Sequence, residues 1–183
     1  MDKQPLAIEG ALLLRPQVFS DERGIFIETW NRNTFETIGL DVEFLQDNYS
    51  RSLQGVLRGL HYQISDAAQG KLAWVTSGEV YDVIVDLRRS SPTFGRWLGQ
   101  RLNAQAHERL WIPEGCAHGF LVTSAAADFH YKCTNVYSAQ HERSLAWDDP
   151  DLAIAWPLPE GHLPLLSQRD REARKFADCE TFP

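Results

Sequence analysis

Residues 71–87 read KLAWVTSGEVYDVIVDL, and this stretch indicates the fold class. Lys71–Thr76 and Glu79–Leu87 are short runs rich in Val, Leu, Trp and Tyr, a composition typical of β-strands. Ser77-Gly78 lies between the two runs and predicts a tight hairpin turn. The stretch therefore favours antiparallel β structure.

Runs of the same kind occur on both sides of this stretch. They are Gly24–Thr29, Glu43–Ser50, Val56–Ile64, Trp97–Leu102, Leu110–Ile112, Gly119–Thr123, Asp128–Thr134 and Ser144–Trp147. Ser90–Thr93 and Pro113–Gly115 carry further turn signals. About ten short strands separated by turns favour a sandwich or barrel over a fold with helices between parallel strands.

Helical signals are confined to two short segments. Asn33–Gly39 predicts one helix, with Asn33 as the N-cap, Glu36 as the capping-box partner and Gly39 as the stop. A second helix is predicted to begin at Ser167 and to run toward Phe176. The chain has 183 residues and no internal repeat or linker, so we expect residues 1–183 to form one all-β domain of jelly-roll type with short peripheral helices.

The composition of the chain excludes some classes of ligand and leaves others open. The formal net charge is −7, and because duplex binding needs a basic face, nucleic acid is not an expected ligand. A few local Arg and Lys residues still leave a phosphorylated small molecule open. Three cysteines at wide spacing favour a reducing, cytoplasmic location. The apolar stretch Ala11–Leu14 is too short for a secretory signal, and no run approaches the roughly 20 residues of a membrane span. We expect a soluble protein.

The segment Val56–Gln63, VLRGLHYQ, is apolar enough for a buried strand yet carries polar side chains. Strict alternation places Arg58 and His61 on opposite faces. Both can face one pocket only if the alternation breaks, and Gly59 is where a bulge would break it. The alternative is a core histidine bonded to a backbone carbonyl, with Arg58 in a structural ion pair. The segment alone does not separate these two interpretations.

Three other residues have structural interpretations of their own, and a fourth, His118, lies where a ligand site is expected. Lys71 begins a strand, where a lysine usually extends into water. Tyr131 is expected to point inward with Phe129, as core tyrosines do. Asp170 stands where the acid of a capping box belongs. His118 follows a turn and opens a strand, at a rim where barrels often hold ligands.

A metal site is not expected. Barrels of this size often bind metal through a His-x-His motif, but the corresponding segment here is His61-Tyr62-Gln63. His61 and His118 alone make an incomplete ligand set. Cys116 lies too close to His118 on one strand to form a thiolate–imidazole pair, so we interpret it as a packing residue.

Several motifs together resemble the dTDP-4-dehydrorhamnose 3,5-epimerase family, in order from about Phe19 to Asp170. These motifs are Phe19–Glu28, Gln46–Ser50, Val56–Gln63, Lys71-Leu72, Asp82–Arg88, Ser91–Gly95, Ile112–Phe120, Trp147–Pro150 and Leu166–Asp170. The resemblance implies a cupin-like double-stranded β-helix, no metal, no cofactor and a homodimer that exchanges N-terminal strands. Cys116 departs from the family, which usually has a larger aromatic residue there.

The resemblance also implies a reaction and its groups. The family inverts C3 and C5 of a 4-keto sugar linked to dTDP through an enolate, in dTDP-L-rhamnose biosynthesis. Such chemistry needs a base, an acid on the opposite face and a donor at the oxyanion. By resemblance, His61 is the base, Asp170 orients it, Tyr131 is the acid and Lys71 binds the enolate oxygen.

Substrate contacts carry over in the same way. Arg23, Phe26 and Glu28 are expected to reach the nucleotide from the partner subunit. The other matching positions are Gln46, Asp47, Asn48, Arg58, Lys71, His118, Glu142 and Arg169. Tyr137 is a candidate to stack on the thymine. Because a diphosphate favours forked cationic donors, the arginines are its expected ligands.

Other functions remain open at this point. The nearest alternative is a mono-epimerase that acts at C3 or C5 of another dTDP-4-keto-6-deoxy sugar. A ketoisomerase of related fold is disfavoured by the match at Tyr131. A non-catalytic sugar-binding barrel would not need a base, an opposed acid and an oxyanion donor together, and a metal-dependent cupin enzyme would need a fuller ligand set.

Overall fold

The computed structural model describes residues 1–183 and contains thirteen β-strands and two short α-helices. The strands are β1 Asp2–Pro5, β2 Leu12–Arg15, β3 Val18–Asp21, β4 Gly24–Ile27, β5 Gln46–Leu53, β6 Leu57–Gln63, β7 Lys71–Ser77, β8 Glu79–Asp86, β9 Trp97–Asn103, β10 Arg109–Ile112, β11 Cys116–Val122, β12 Ala126–Cys133 and β13 Glu142–Ser144. The helices are α1 Arg32–Thr37 and α2 Gln168–Arg171, and single 3₁₀ turns lie at Ser65–Ala67 and Phe176–Asp178.

Two antiparallel sheets face each other. One has six strands in the order β1-β2-β10-β7-β12-β5, and the other has five in the order β13-β6-β11-β8-β9. β3 and β4 form a separate two-stranded ribbon. This is the predicted all-β, cupin-like jelly roll with short peripheral helices.

The hairpin predicted at Ser77-Gly78 is wrong, although both of its strands exist. β7 pairs with β10 and β12, whereas β8 pairs with β11 and β9, so the chain crosses between sheets at this turn. Gly78 has φ +77°, and a Cβ there would lie 2.0 Å from the carbonyl oxygen of Ala126. The glycine thus permits a tight crossing next to the backbone of a third strand.

Other boundaries also differ from the predictions. β1, β2 and β3 were not expected; β1 and β3 are fully exposed and carry no inward–outward alternation of hydrophobicity. The last strand is Glu142–Ser144 rather than Ser144–Trp147. Helix α1 is capped by Asn31, whose side chain accepts from Thr34 N, and not by Asn33. Helix α2 begins after Ser167 as predicted but ends at Arg171.

Three apolar clusters stabilise this arrangement. The largest lies between the sheets and includes Leu13, Ile84, Leu110 and Phe129, all 3 % exposed or less. Cys116, which we interpreted as packing, is buried in it. A second cluster covers the outer face of the five-stranded sheet, and a third packs α1 against the six-stranded sheet. No helix of the structure is long and apolar enough to cross a membrane.

Candidate active site

A cavity of about 780 Å³ opens between the two sheets and is lined by 20 residues. β5, β7 and β12 contribute from one sheet, β6, β11 and β13 from the other, and α2 lies at its edge. Most of the predicted site residues line it: Gln46, Asn48, Arg58, His61, Lys71, His118, Tyr131, Tyr137, Glu142, Arg169 and Asp170. Residues far apart in the chain therefore converge on one space.

A bulge lies at Gly59, the position at which the sequence allowed one. His118 of β11 pairs with His61 and Phe120 pairs with Arg58, so two residues of β6 oppose one of β11. Gly59 has φ +131°, and a Cβ there would lie 2.5 Å from the Cα of Gly119. The close approach of the two strands requires glycine, and the break in alternation brings both Arg58 and His61 to the cavity.

His61 and Asp170 form a close imidazole–carboxylate pair in the cavity wall. Nε2 of His61 lies 2.6 Å from Oδ1 of Asp170, and the carboxylate is 4 % exposed. Ser167 donates from Oγ to Oδ2 of Asp170 at 2.8 Å and accepts from its backbone N–H at 3.2 Å. Asp170 thus belongs to the helix-capping arrangement and also holds the imidazole. No side chain or backbone group bonds Nδ1 of His61.

Burial and hydrogen bonding together set the protonation state of this pair. Burial lowers the pKa of His61, and although Asp170 opposes the shift, the nearby charges of Arg169 and Lys71 lower the pKa further. Burial raises the pKa of Asp170, but the hydrogen bonds from His61 and Ser167 outweigh it and leave the pKa below the usual value. At neutral pH the pair is therefore a neutral imidazole beside a carboxylate, which suits a general base.

Arg169 lies between the dyad and a second carboxylate. Its Nη2 is 2.8 Å from Nε2 of His61, and its Nη1 donates to Oε2 of Glu142 at 2.5 Å. The phenol of Tyr137 donates to the same oxygen at 2.9 Å. These side chains form a polar group at the cavity wall, where an anionic ligand would meet the guanidinium.

Lys71 and Tyr131 both come from the six-stranded sheet, opposite His61. Lys71 is 6 % exposed rather than extended into water, and its Nζ donates to the carbonyl oxygen of His61 at 3.2 Å. Burial lowers its pKa. Burial raises the pKa of Tyr131 to about 12, so the phenol is protonated at neutral pH. A buried lysine side chain and a protonated phenol thus face the imidazole across one cavity.

A second imidazole–carboxylate pair lies beside the first. Nε2 of His118 is 2.9 Å and 3.0 Å from the two carboxylate oxygens of Asp82, which is fully buried. Burial raises the pKa of Asp82, although His118 and Lys71 oppose the shift. Sequence reasoning did not single out Asp82. The available signal was a carboxylate in the middle of an apolar strand, which needs a partner when buried.

No three His, Cys, Asp or Glu side chains lie close enough together to hold a metal ion. His61 and His118 instead each bind a carboxylate of their own.

Four predicted contact residues lie outside the cavity of this chain. Arg23 and Phe26 are on the exposed β3–β4 ribbon, where Arg23 pairs with Asp21 and Phe26 is 68 % exposed. Glu28 accepts from Asn31 and Thr34 near the start of α1. Asp47 points outward and accepts from Lys132 at 2.7 Å.

The fold and this site define a class: a jelly-roll isomerase with an acid–base pocket, suited to moving protons next to a carbonyl. The family model for dTDP-4-dehydrorhamnose 3,5-epimerase matches residues 5–178. The chain belongs to the dTDP-4-dehydrorhamnose 3,5-epimerase family.

Relatives span the whole chain. The dTDP-4-dehydrorhamnose 3,5-epimerase of Pseudomonas aeruginosa is 54% identical over 97% of both chains. The dTDP-6-deoxy-D-glucose-3,5-epimerase of Legionella pneumophila, solved with dTDP-4-keto-L-rhamnose, is 47% identical with a TM-score of 0.89, covering 95% of this chain and 91% of that one. A 3'-monoepimerase of Streptomyces bikiniensis, solved with dTDP-quinovose, is 37% identical with a TM-score of 0.87, covering 94% and 87%.

Proposed function

We propose that this chain is a 3,5-epimerase that converts dTDP-4-dehydro-6-deoxy-D-glucose into dTDP-4-dehydro-L-rhamnose, a step of dTDP-L-rhamnose biosynthesis. One observation carries the proposal: the His61 imidazole and the Tyr131 phenol line one cavity from opposite sheets. Full-length identity of 54% to a 3,5-epimerase supports the same activity.

The reaction follows from the carbonyl. C3 and C5 both adjoin the C4 ketone, so loss of a proton from either carbon gives an enolate. His61 would take the proton through Nδ1, because Nε2 is engaged by Asp170. The buried side chain of Lys71 would donate a hydrogen bond to the enolate oxygen and stabilise it.

Inversion requires a proton from the other face. Tyr131 would supply it, since its phenol is protonated and comes from the sheet opposite His61. The phenolate would then regain a proton from solvent, and the imidazolium would release one. Protons alone balance the reaction, so we propose neither a cofactor nor a metal.

The remaining cavity residues are proposed to bind the nucleotide. Arg58 and Arg169 would hold the diphosphate, because forked guanidinium groups match phosphate oxygens, and His118 would contact the ligand beside them. Gln46, Asn48, Glu142 and Tyr137 would contact the nucleoside and sugar, with Tyr137 against the thymine. Asp47, which points outward in this chain, is proposed as a substrate contact on the family resemblance alone.

We further propose a homodimer in which the β3–β4 ribbon of one subunit completes the site of the other. The ribbon carries exposed Phe19 and Ile25, at 51 % and 57 %, beside Phe26 and Arg23. Apolar side chains on an isolated ribbon favour a partner surface. Free cysteines support a cytoplasmic location, and we treat residues 1–183 as one functional domain.

Complementation would test the shared site. Arg23→Ala and His61→Ala each disable one contribution, so mixed dimers of the two variants should regain activity in one site. A monomer by light scattering that retains full activity would exclude the exchange.

Isotope exchange tests the reaction itself. Incubation of the substrate with enzyme in D₂O should place deuterium at both C3 and C5 by NMR. The alternative is a mono-epimerase, favoured by the likeness to the Streptomyces bikiniensis protein; label at one carbon only would support it. His61→Ala should abolish exchange while dTDP still binds, and unchanged exchange would exclude the proposed base.

A further inference from the structure

Helix α2, which carries Asp170 and Arg169, is too short to be stable by itself. α2 has four residues, a single turn, and isolated helices of that length are unstable in water. Its orientation therefore depends on the chain on either side. Before it, Leu165 exchanges backbone hydrogen bonds with Gly55 and Leu57, at 2.7 Å and 3.0 Å. After it, Arg174 exchanges them with Ser144 and Ala146, at 3.1 Å and 2.7 Å.

The segment that follows, Lys175–Pro183, is fastened to the outer face of the five-stranded sheet. The backbone N–H of Phe176 donates to Asp149 at 2.8 Å. Phe182 bonds through its backbone to Leu87 and Arg89, both at 2.9 Å. The segment thus holds the far end of the connection that leaves α2.

Glu180 connects this segment to two strands of the cavity wall, β6 and β13. Its backbone carbonyl accepts from the phenol of Tyr62 at 2.8 Å, and its carboxylate binds the guanidinium of Arg143 through both oxygens. Tyr62 and Arg143 are cross-strand partners on β6 and β13. Each directly follows a cavity residue, His61 and Glu142 respectively. Through these contacts, Glu180 links the two strands that present His61 and Glu142 to the cavity.

We propose that Glu180 is a positioning residue for the acid–base site. It fixes the short edge strand β13 against β6, and with it the end of the loop that carries α2. The distance from His61 to Asp170 and the contact of Arg169 with Glu142 depend on the contacts that Glu180 makes with both strands. The inference rests on the proposed function, because it uses turnover as its measure.

The test is Glu180→Gln, which removes the charge and keeps the backbone carbonyl. The matched control is Glu36→Gln: Glu36 pairs with Arg32 on α1, is as exposed as Glu180 (46 % against 45 %) and lies outside the cavity lining. We expect Glu180→Gln to lower kcat by about 3- to 10-fold, because small displacements of reacting groups reduce rates steeply. Glu36→Gln should leave kcat unchanged.

The pH profile distinguishes positioning from general stability. Asp170 favours the imidazolium of His61 more strongly than Arg169 opposes it. A looser Asp170 therefore lowers the pKa of His61, and the acid limb of kcat/KM should move to lower pH in Glu180→Gln. Glu180→Asp should restore most of kcat and the limb.

Three outcomes would overturn the inference: kcat equal to that of Glu36→Gln, a lowered kcat with an unmoved acid limb, or no recovery in Glu180→Asp. If Glu180→Gln does not fold, Arg143→Gln removes the same ion pair from the side of β13 and must show the same limb shift. Wild-type protein without any exchange would instead refute the proposed function.

Discussion

The two imidazole–carboxylate pairs of the cavity have the same chemistry in different settings. His61 meets Asp170 on a one-turn helix, and its side chain is 24% exposed. His118 meets Asp82 on the adjacent strand β8, and both residues are buried. The first pair can reach solvent and a ligand ring; the second is fixed within a sheet. We propose that these surroundings, rather than residue type, assign the first pair to proton transfer and the second to binding.

The largest expected effect comes from Asp170→Asn. The amide can donate to Nε2 of His61 and thereby hold the wrong tautomer, so kcat should fall by about 100-fold or more. Binding of dTDP, measured by calorimetry, should change little. Asp151→Asn, an exposed exchange outside the cavity, is the control. Near-normal kcat in Asp170→Asn would show that the first pair does not carry the chemistry.

Asp82→Asn should have a smaller effect of a different kind. The substitution keeps the shape of the side chain but weakens its hydrogen bonding to Nε2 of His118. We therefore expect dTDP to bind about 10-fold less tightly, as for loss of a charge-assisted hydrogen bond. The loss of kcat should be smaller than in Asp170→Asn. Calorimetry and steady-state kinetics on one preparation give both values. If kcat collapses while dTDP affinity is normal, the two pairs have exchanged roles.

The smallest effect is a shift in pH dependence. Because burial and the nearby cations lower the pKa of His61, the neutral base persists below the usual imidazole value of 6.5. The acid limb of kcat/KM should have its midpoint below that pH. Arg169→Gln removes one cation, so the limb should move to higher pH even though binding weakens. A midpoint of the acid limb that moves to lower pH in Arg169→Gln would contradict this electrostatic explanation.

Parts of the fold were predictable because local pattern and tertiary environment agree. β9 and β12 match their predicted ranges closely, since both carry β-rich runs bounded by turn residues. The turn at Gly78 shows the limit of such reasoning. A glycine with positive φ permits a reversal, but which strands then pair depends on hydrogen bonds to β11 and β12, far away in sequence.

The candidate site likewise has features that the sequence predicted and features that it did not. Residue types and family motifs were sufficient to name His61, Tyr131 and Lys71, but not Asp82, whose partner lies 36 residues away. The contact between Arg169 and His61 was also not expected, because it arises only when α2 folds against β6.

By itself, the sequence determined the all-β class, the position at Gly59 where strand alternation could break and the kinds of side chain available for acid–base chemistry. Turn residues, β-rich composition and family motifs are local properties, so they can be recognised in the sequence alone. Only the tertiary structure decided which strands pair, how far His61 lies from Asp170 and which charges surround each. Those quantities depend on desolvation and on distances between distant segments, and neither exists until the two sheets pack together.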